Sequence, residues 1–180
     1  EPLRRGEKNM GWNRILSLAA VALASAGCVN MNNPTRLVPG ASADEIRQWL
    51  GEPSGRYPLA GGAQRLEYAR GPFGKQTWML DVDAGGRLTS ATQVLTEKQF
   101  NAIRAGATAD EVLRTIGRPS NVGYVGWHKT QTVWSYRYAS PFCQWFQVGL
   151  SEAGVVEDTG YGPHPICDDV DKPLHGIFRR

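Results

Sequence analysis

The sequence predicts an α+β fold: a tandem repeat in which a short helix, or helix pair, leads into an antiparallel β-meander, with the helices packed on one sheet face. Three observations carry this expectation. The stretch GASADEIRQWLGEPS at 40–54 returns as GATADEVLRTIGRPS at 106–120, identical at eight of fifteen positions. Each copy is bracketed by residues that start and stop a helix. Behind each copy, apolar residues alternate at matching positions, as in strands with one buried face.

The elements follow in order. Ser42 and Thr108 are N-caps with Glu45 and Glu111 three residues on. In such a capping box the hydroxyl accepts from the third helical amide, and the Glu carboxylate accepts from the cap amide. Ala43, Ile46 and Leu50 share one helical face, as do Ala109, Val112 and Ile116. Gly51 and Gly117 end the helices, and Pro53 and Pro119 prevent continuation. Every part of the motif has a structural role, so none of it requires catalysis. Thr96-Glu97-Lys98-Gln99 predicts a further helix start, with Phe100 and Ile103 on its apolar side. Pro34 and Pro39 forbid a regular helix at the corresponding place in the first copy, where Leu37 fills the position of Ile103. Two extra loop residues then shift the offset from 66 to 68. Leu66, Tyr68 and Trp78 match Trp134, Tyr136 and Phe146. Strands are expected near 65–70, 75–82 and 87–94, then 132–139, 143–150 and 154–161, with a weaker one near 122–127.

Charge excludes one class of partner. The chain carries +3, but residues 1–27 hold four basic and two acidic residues, which leaves +1 on the remainder. No basic run persists there, so a nucleic-acid footprint is not expected. Met10 opens MGWNRILSLAAVALASAGC, in which Arg14 precedes an uncharged, mostly apolar stretch and small residues. That is the pattern of a secretory signal, and the stretch is short for a membrane span. The chain is expected to start at Met10, with 1–9 an upstream extension.

Ala24-Ser25-Ala26-Gly27-Cys28 resembles a bacterial lipobox, although Ser25 stands where Leu is usual. The resemblance implies that Cys28 carries a lipid anchor, and Val29 after it implies the outer membrane. Cys143 and Cys167 then remain as an even pair in an oxidising compartment, where a disulfide is expected. Closing a loop of that length contributes about 3.5 kcal/mol in the chain-entropy account. A metal site on Cys167 and His164 is the competing reading, but it lacks a second ligand pair. No cofactor or metal is expected.

The pattern G-x-[ST]-x-x-E-[IV]-x-x-x-[LI]-G-x-P, read with the strands behind it, resembles the small outer-membrane lipoproteins of the BamE-like (SmpA/OmlA) family. It also resembles the tandem units of β-lactamase inhibitor proteins (BLIP-like). Met after the first Gly is usual in these families, and Ala41 and Ala107 depart from it. The resemblance implies the fold and a lipoprotein setting, and it transfers no partner-binding residue. The domain reading is 10–27 signal peptide, 28–39 anchor linker, 40–95 first unit, 96–167 second unit and 168–180 polar tail.

Aromatic residues crowd the second copy. Trp134, Tyr136 and Phe146 fall on the core face by the repeat alignment. Trp127, Tyr138, Phe142 and Trp145, with Trp49, form the candidate partner-binding set, against the plainer reading of edge packing. Catalysis has little support: His128, His164 and His175 have no nucleophile at a motif spacing, and Asp168, Asp169 and Asp171 lack the rest of a calcium loop. The expectation is therefore a non-enzymatic, lipid-anchored protein on the periplasmic face of the outer membrane, without a small-molecule substrate. It would bind envelope proteins as an interaction or scaffold module, in β-barrel assembly or envelope integrity. The alternative is a BLIP-like inhibitor of a periplasmic or secreted enzyme, and the least favoured is an envelope enzyme. An outer sheet face with clustered exposed aromatics points to the inhibitor, and one of Gln, Thr and Ser points to the scaffold.

Overall fold

Among the described residues, two four-stranded antiparallel sheets make up most of the fold, with three short α-helices around and between them. The computed structural model describes residues 34–71, 73–128 and 130–165. The signal segment, Cys28, Cys167, His175 and the tail at 168–180 lie outside the described residues. Sheet 1 runs in the order β1 (Gly55–Pro58), β2 (Gln64–Ala69), β3 (Thr77–Val82), β4 (Leu88–Gln93). Sheet 2 runs β5 (Asn121–Val125), β6 (Gln131–Arg137), β7 (Gln144–Ser151), β8 (Val156–Pro163). The helices are α1 (Ala43–Leu50), α2 (Glu97–Phe100) and α3 (Ala109–Ile116).

This corrects the expected fold of helix-led meanders with helices on one sheet face. Strands dominate, and each sheet opens with a strand ahead of the meander. β1 was not expected at all, because GRYP offers four residues containing Gly and Pro and no alternation to read. It forms because Ser54 N and the Tyr57 register tie it to β2. The expected helix at Thr96 is a single turn, capped by the Thr96 hydroxyl at Gln99 N.

Local chemistry explains the two longer helices. Both capping boxes are complete, with Ser42 N and Thr108 N each donating to a Glu carboxylate at 2.6 Å. Backbone accepting positions recur as well. Tyr68 Oη donates to Gly51 O, and Tyr136 Oη donates to Gly117 O. Register shifts fall at Asp81/Val82 in sheet 1 and Gly149/Leu150 in sheet 2.

The two longer helices do not stand in equivalent surroundings. α1 buries Ile46 against Leu66, Tyr68, Leu80 and Val82 on the inner face of sheet 1. α3 buries Val112 and Ile116 against Tyr136, Phe146, Val148 and Leu150 on the inner face of sheet 2, where Phe100 stacks on Phe146 at 4.2 Å. The other side of α3 meets the outer face of sheet 1. Leu113 packs against Tyr57, Met79 and Val94. Arg65 Nη1 donates to Arg114 O, and Arg114 Nη1 donates to Pro58 O. The layers therefore run α1, sheet 1, α3, sheet 2, with α3 held between two sheets.

A buried carboxylate anchors this middle contact. Glu67 has no exposed surface; its carboxylate accepts from Tyr57 Oη at 2.6 Å and from Arg118 N at 3.0 Å. Burial first, and then the bond to Glu67, push the Tyr57 phenol well above its ordinary range. Beside it Arg65 and Asp81 form a bidentate, partly buried pair at 2.7 and 2.8 Å.

Candidate functional site

The layer order ends on the outer face of sheet 2, which no described element covers. Its positions can be matched to the covered outer face of sheet 1, because β1 and β5 run at an offset of 66 and the later strands at 68. Where sheet 1 carries Tyr57, Asp81, Thr92 and Val94, sheet 2 carries Gly123, Gly149, Gly160 and Gly162. Glu67 and Met79 become Ser135 and Gln147, and Arg65 becomes Val133. The apolar and ionic groups that receive α3 are therefore replaced by a hollow, polar floor.

Two neighbouring hollows result. One, of about 290 Å³, lies over Asn121, Gly123, Ser135 and Trp145. The other, of about 310 Å³, lies over Gln131, Gly149, Asp158 and Gly160. Val125, Val133 and Gln147 border both. Gln147 Nε2 donates to Ser135 Oγ at 3.2 Å, and its Oε1 lies above Gly162, 2.5 Å from where a Cβ would stand. Asp158 and Gln131 lean over Gly149, and Glu157 accepts from Gln131 Nε2 at 2.8 Å.

One end of this face is aromatic and cationic. Trp145 is on the outer face yet only 6% exposed, because the Arg137 guanidinium lies 5.2 Å from its ring and the His164 ring lies 4.7 Å away. Arg137 also sits 5.1 Å from the Phe73 ring, which bridges to sheet 1. Arg137 Nε and Trp145 Nε1 are buried without an acceptor. Burial first, and then Arg137 and Lys75, hold the His164 imidazole below its ordinary range.

The five aromatic candidates do not gather. Tyr138 is in the core, edge-on to Phe100 at 5.1 Å, with its hydroxyl bonded to Gln144. Trp127 is 86% exposed on the β5–β6 connection, whereas Phe142 is exposed on the β6–β7 connection, at the other end of β6. Trp49 is 38% exposed on α1. Of the five, Trp145 borders one of these two hollows and the other four border neither. Cys143 is disulfide-bonded, and its expected partner Cys167 lies outside the described residues. Among the described residues no three His, Cys, Asp or Glu side chains cluster for a metal ion. Sequence reasoning passed over the glycines of the outer face. Comparing the outer-face positions of the two copies, at an offset of 66 in the first strand and 68 in the later ones, finds them.

No protein-family model matches the chain. No curated protein matches it. Among solved structures, it is similar to a cysteine-rich secretory protein of Staphylococcus aureus, with a TM-score of 0.27 and 9% identity over 74% of this chain and 46% of that one. It is also similar to an extracellular protein of Bacillus anthracis containing an SCP domain, with a TM-score of 0.28 and 12% identity over 91% of this chain and 49% of that one. The chain thus spans about half the length of each. Overlaps this loose carry no argument about fold or function. The expected BamE-like or BLIP-like membership is corrected: no family model matches the chain, and neither similar structure is described as a member of those families. The capped-helix pattern that suggested it is explained by helix capping alone, which any family can use.

Proposed function

We propose that the protein is a lipid-anchored, periplasm-facing lipoprotein of the outer membrane that acts by binding other envelope proteins. One observation carries the binding role. Sheets 1 and 2 have corresponding outer faces; one is covered by α3, and the other is left open over two hollows. An open sheet face of this size beside a packed counterpart is a natural docking surface. Its chemistry supports a scaffold over an enzyme inhibitor. The hollows are lined mostly by Gln, Ser, Asn, Asp and Gly around Val125 and Val133; Trp145 is buried, and the exposed Tyr124 and Tyr161 border different hollows rather than forming a cluster.

The anchor assignment rests on the lipobox pattern at Cys28. About eleven residues separate Cys28 from Gly40, a reach of at most ~40 Å at full extension. That tether keeps the folded part near the membrane and suits a partner held there. No catalytic role belongs to this reading.

Two experiments test it. Cys28→Ser in the full chain should release the protein from membranes into the soluble periplasmic fraction; unchanged attachment removes the anchor. A photo-crosslinking amino acid at Val133, in the middle of the open face, should capture protein in cells. If the adduct pattern matches that of a probe on an exposed site elsewhere, such as Arg36, the binding role fails.

A further inference from the structure

We infer that the open face of sheet 2 receives α1 of a second copy of this chain, so that copies join head to tail. The inference rests on the binding role just proposed and names its partner. The chain carries both halves of one contact: a sheet face prepared for a helix, and a helix related by sequence to the one that fills the corresponding face internally.

The internal contact defines the geometry. Leu113, Arg114 and Thr115 are the α3 residues that face sheet 1. Leu113 lies among Tyr57, Met79 and Val94, and Thr115 borders a small hollow of about 130 Å³ beside Asp81 and Thr92. At an offset of 66 their counterparts on α1 are Arg47, Gln48 and Trp49. All three are exposed on the side of α1 turned away from sheet 1.

Side-chain sizes change in opposite directions on the two surfaces. Thr115 becomes Trp49, and Asp81 and Thr92, which border the small hollow beside Thr115, become Gly149 and Gly160, which border an open hollow of about 310 Å³. Leu113 becomes the longer Arg47, while Tyr57 and Val94 become Gly123 and Gly162. Polarity changes in step. An apolar Leu among apolar groups is replaced by a cation, and the matching floor position presents Gln147 Oε1 above Gly162, with Asp158 and Glu157 along the same face. Among the described residues Arg47 pairs with exposed Asp44 and Glu52, pairs that contribute little and yield easily. Larger helix residues against an emptied sheet, and a cation against acceptors, are what a helix–sheet contact retuned for assembly between chains requires. Because the two surfaces are different patches, the contact is heterologous and continues from copy to copy, into a ring where the rotation closes and an open chain where it does not.

The test uses the full chain. Sedimentation across a concentration series should show mass rising past the dimer. Trp49→Ala and Gly160→Arg should each weaken association roughly tenfold or more, as central hot-spot changes do. Gly160→Arg is a clean probe, because nothing lies within 4 Å of a Cβ there and no left-handed backbone is involved. A photo-crosslinker at Trp49 should give a self-adduct mapping to the β7–β8 peptides. A monomer at all concentrations overturns the inference. So does a self-adduct mapping to α1 of the other copy, or an adduct only with a different protein. In that last case the Val133 probe still captures protein and the binding role stands; if Val133 captures nothing, both fail.

Discussion

Gly51 and Gly117 form a matched pair that measures the contact between α3 and sheet 1. Both end a helix, and their backbones are nearly the same, at φ 81°, ψ −163° and φ 82°, ψ −166°. A residue with a Cβ is strained there by about 1–3 kcal/mol. At Gly51 nothing lies within 4 Å of an added Cβ, so Gly51→Ala should cost that strain alone. At Gly117 the Cβ would stand 3.0 Å from Glu67 Oε1 and 3.0 Å from Thr77 Cγ2. Glu67 cannot swing aside without abandoning Tyr57 and Arg118. Overpacking therefore adds about 1–3 kcal/mol to Gly117→Ala beyond its partner. At a urea dependence of roughly 1–3 kcal/mol per molar, the second midpoint should lie about 1 M below the first. Thr77→Ser removes the crowding methyl and should recover part of the loss in the Gly117→Ala background only. Equal midpoints for the two glycine variants would refute the packing of α3 on sheet 1, and with it the template for the assembly inferred above.

Other predictions test neighbouring features. Glu67→Ala leaves the Tyr57 hydroxyl and the Arg118 amide buried without their acceptor and should cost about 3–5 kcal/mol in chemical denaturation; a loss within experimental error would mean that water replaces the carboxylate. Tyr57 and Tyr136 are both raised, chiefly by burial, so the folded state holds their protons longer than the unfolded state. Their contribution is complete below about pH 10 and is lost as pH rises beyond it, so alkaline unfolding should move to higher pH in Tyr57→Phe. The Glu45 and Glu111 carboxylates are lowered by the cap amides and hydroxyls of Ser42 and Thr108, so their stabilisation is present above the ordinary carboxylate range and lost as pH falls through the lowered value. In Thr108→Ala the Glu111 resonance should titrate at higher pH than in the parent, and no change would argue against the capping box. His164 is lowered in the folded state, so protonation below about pH 6.5 opposes folding; its imidazole shifts should titrate below that of a model peptide, and Arg137→Gln should raise the value.

Legibility followed the range of the forces involved. The caps at Ser42 and Thr108 and the stops at Gly51 and Gly117 depend on residues within one turn, and both were readable. The inner-face alternation of Leu66 and Tyr68, and of Tyr136 and Phe146, was also readable, since it needs only one buried face and a period of two. β1 was not, because it is held by pairing with β2 rather than by its own pattern. Tyr138 entered the binding set from sequence because its counterpart is Arg70, a residue that says nothing of burial; Phe100 and Tyr161 bury it. Trp145 was placed on the outer face, but its cover by Arg137 and His164 comes from a neighbouring strand and from the chain beyond β8.

The sequence by itself determined where helices begin and end, which faces are apolar, and that two stretches share one plan, since these are local or periodic properties of the chain. Only the tertiary structure decided that α3 lies between two sheets while α1 covers one. That outcome depends on Leu113 standing where α1 has Arg47, and on Glu67, Arg65 and Tyr57 meeting it across more than forty residues of chain. The same stacking determines what remains open. Gly123, Gly149, Gly160 and Gly162 look like ordinary turn and strand residues until sheet 1 shows which large side chains their counterparts carry and what those side chains hold.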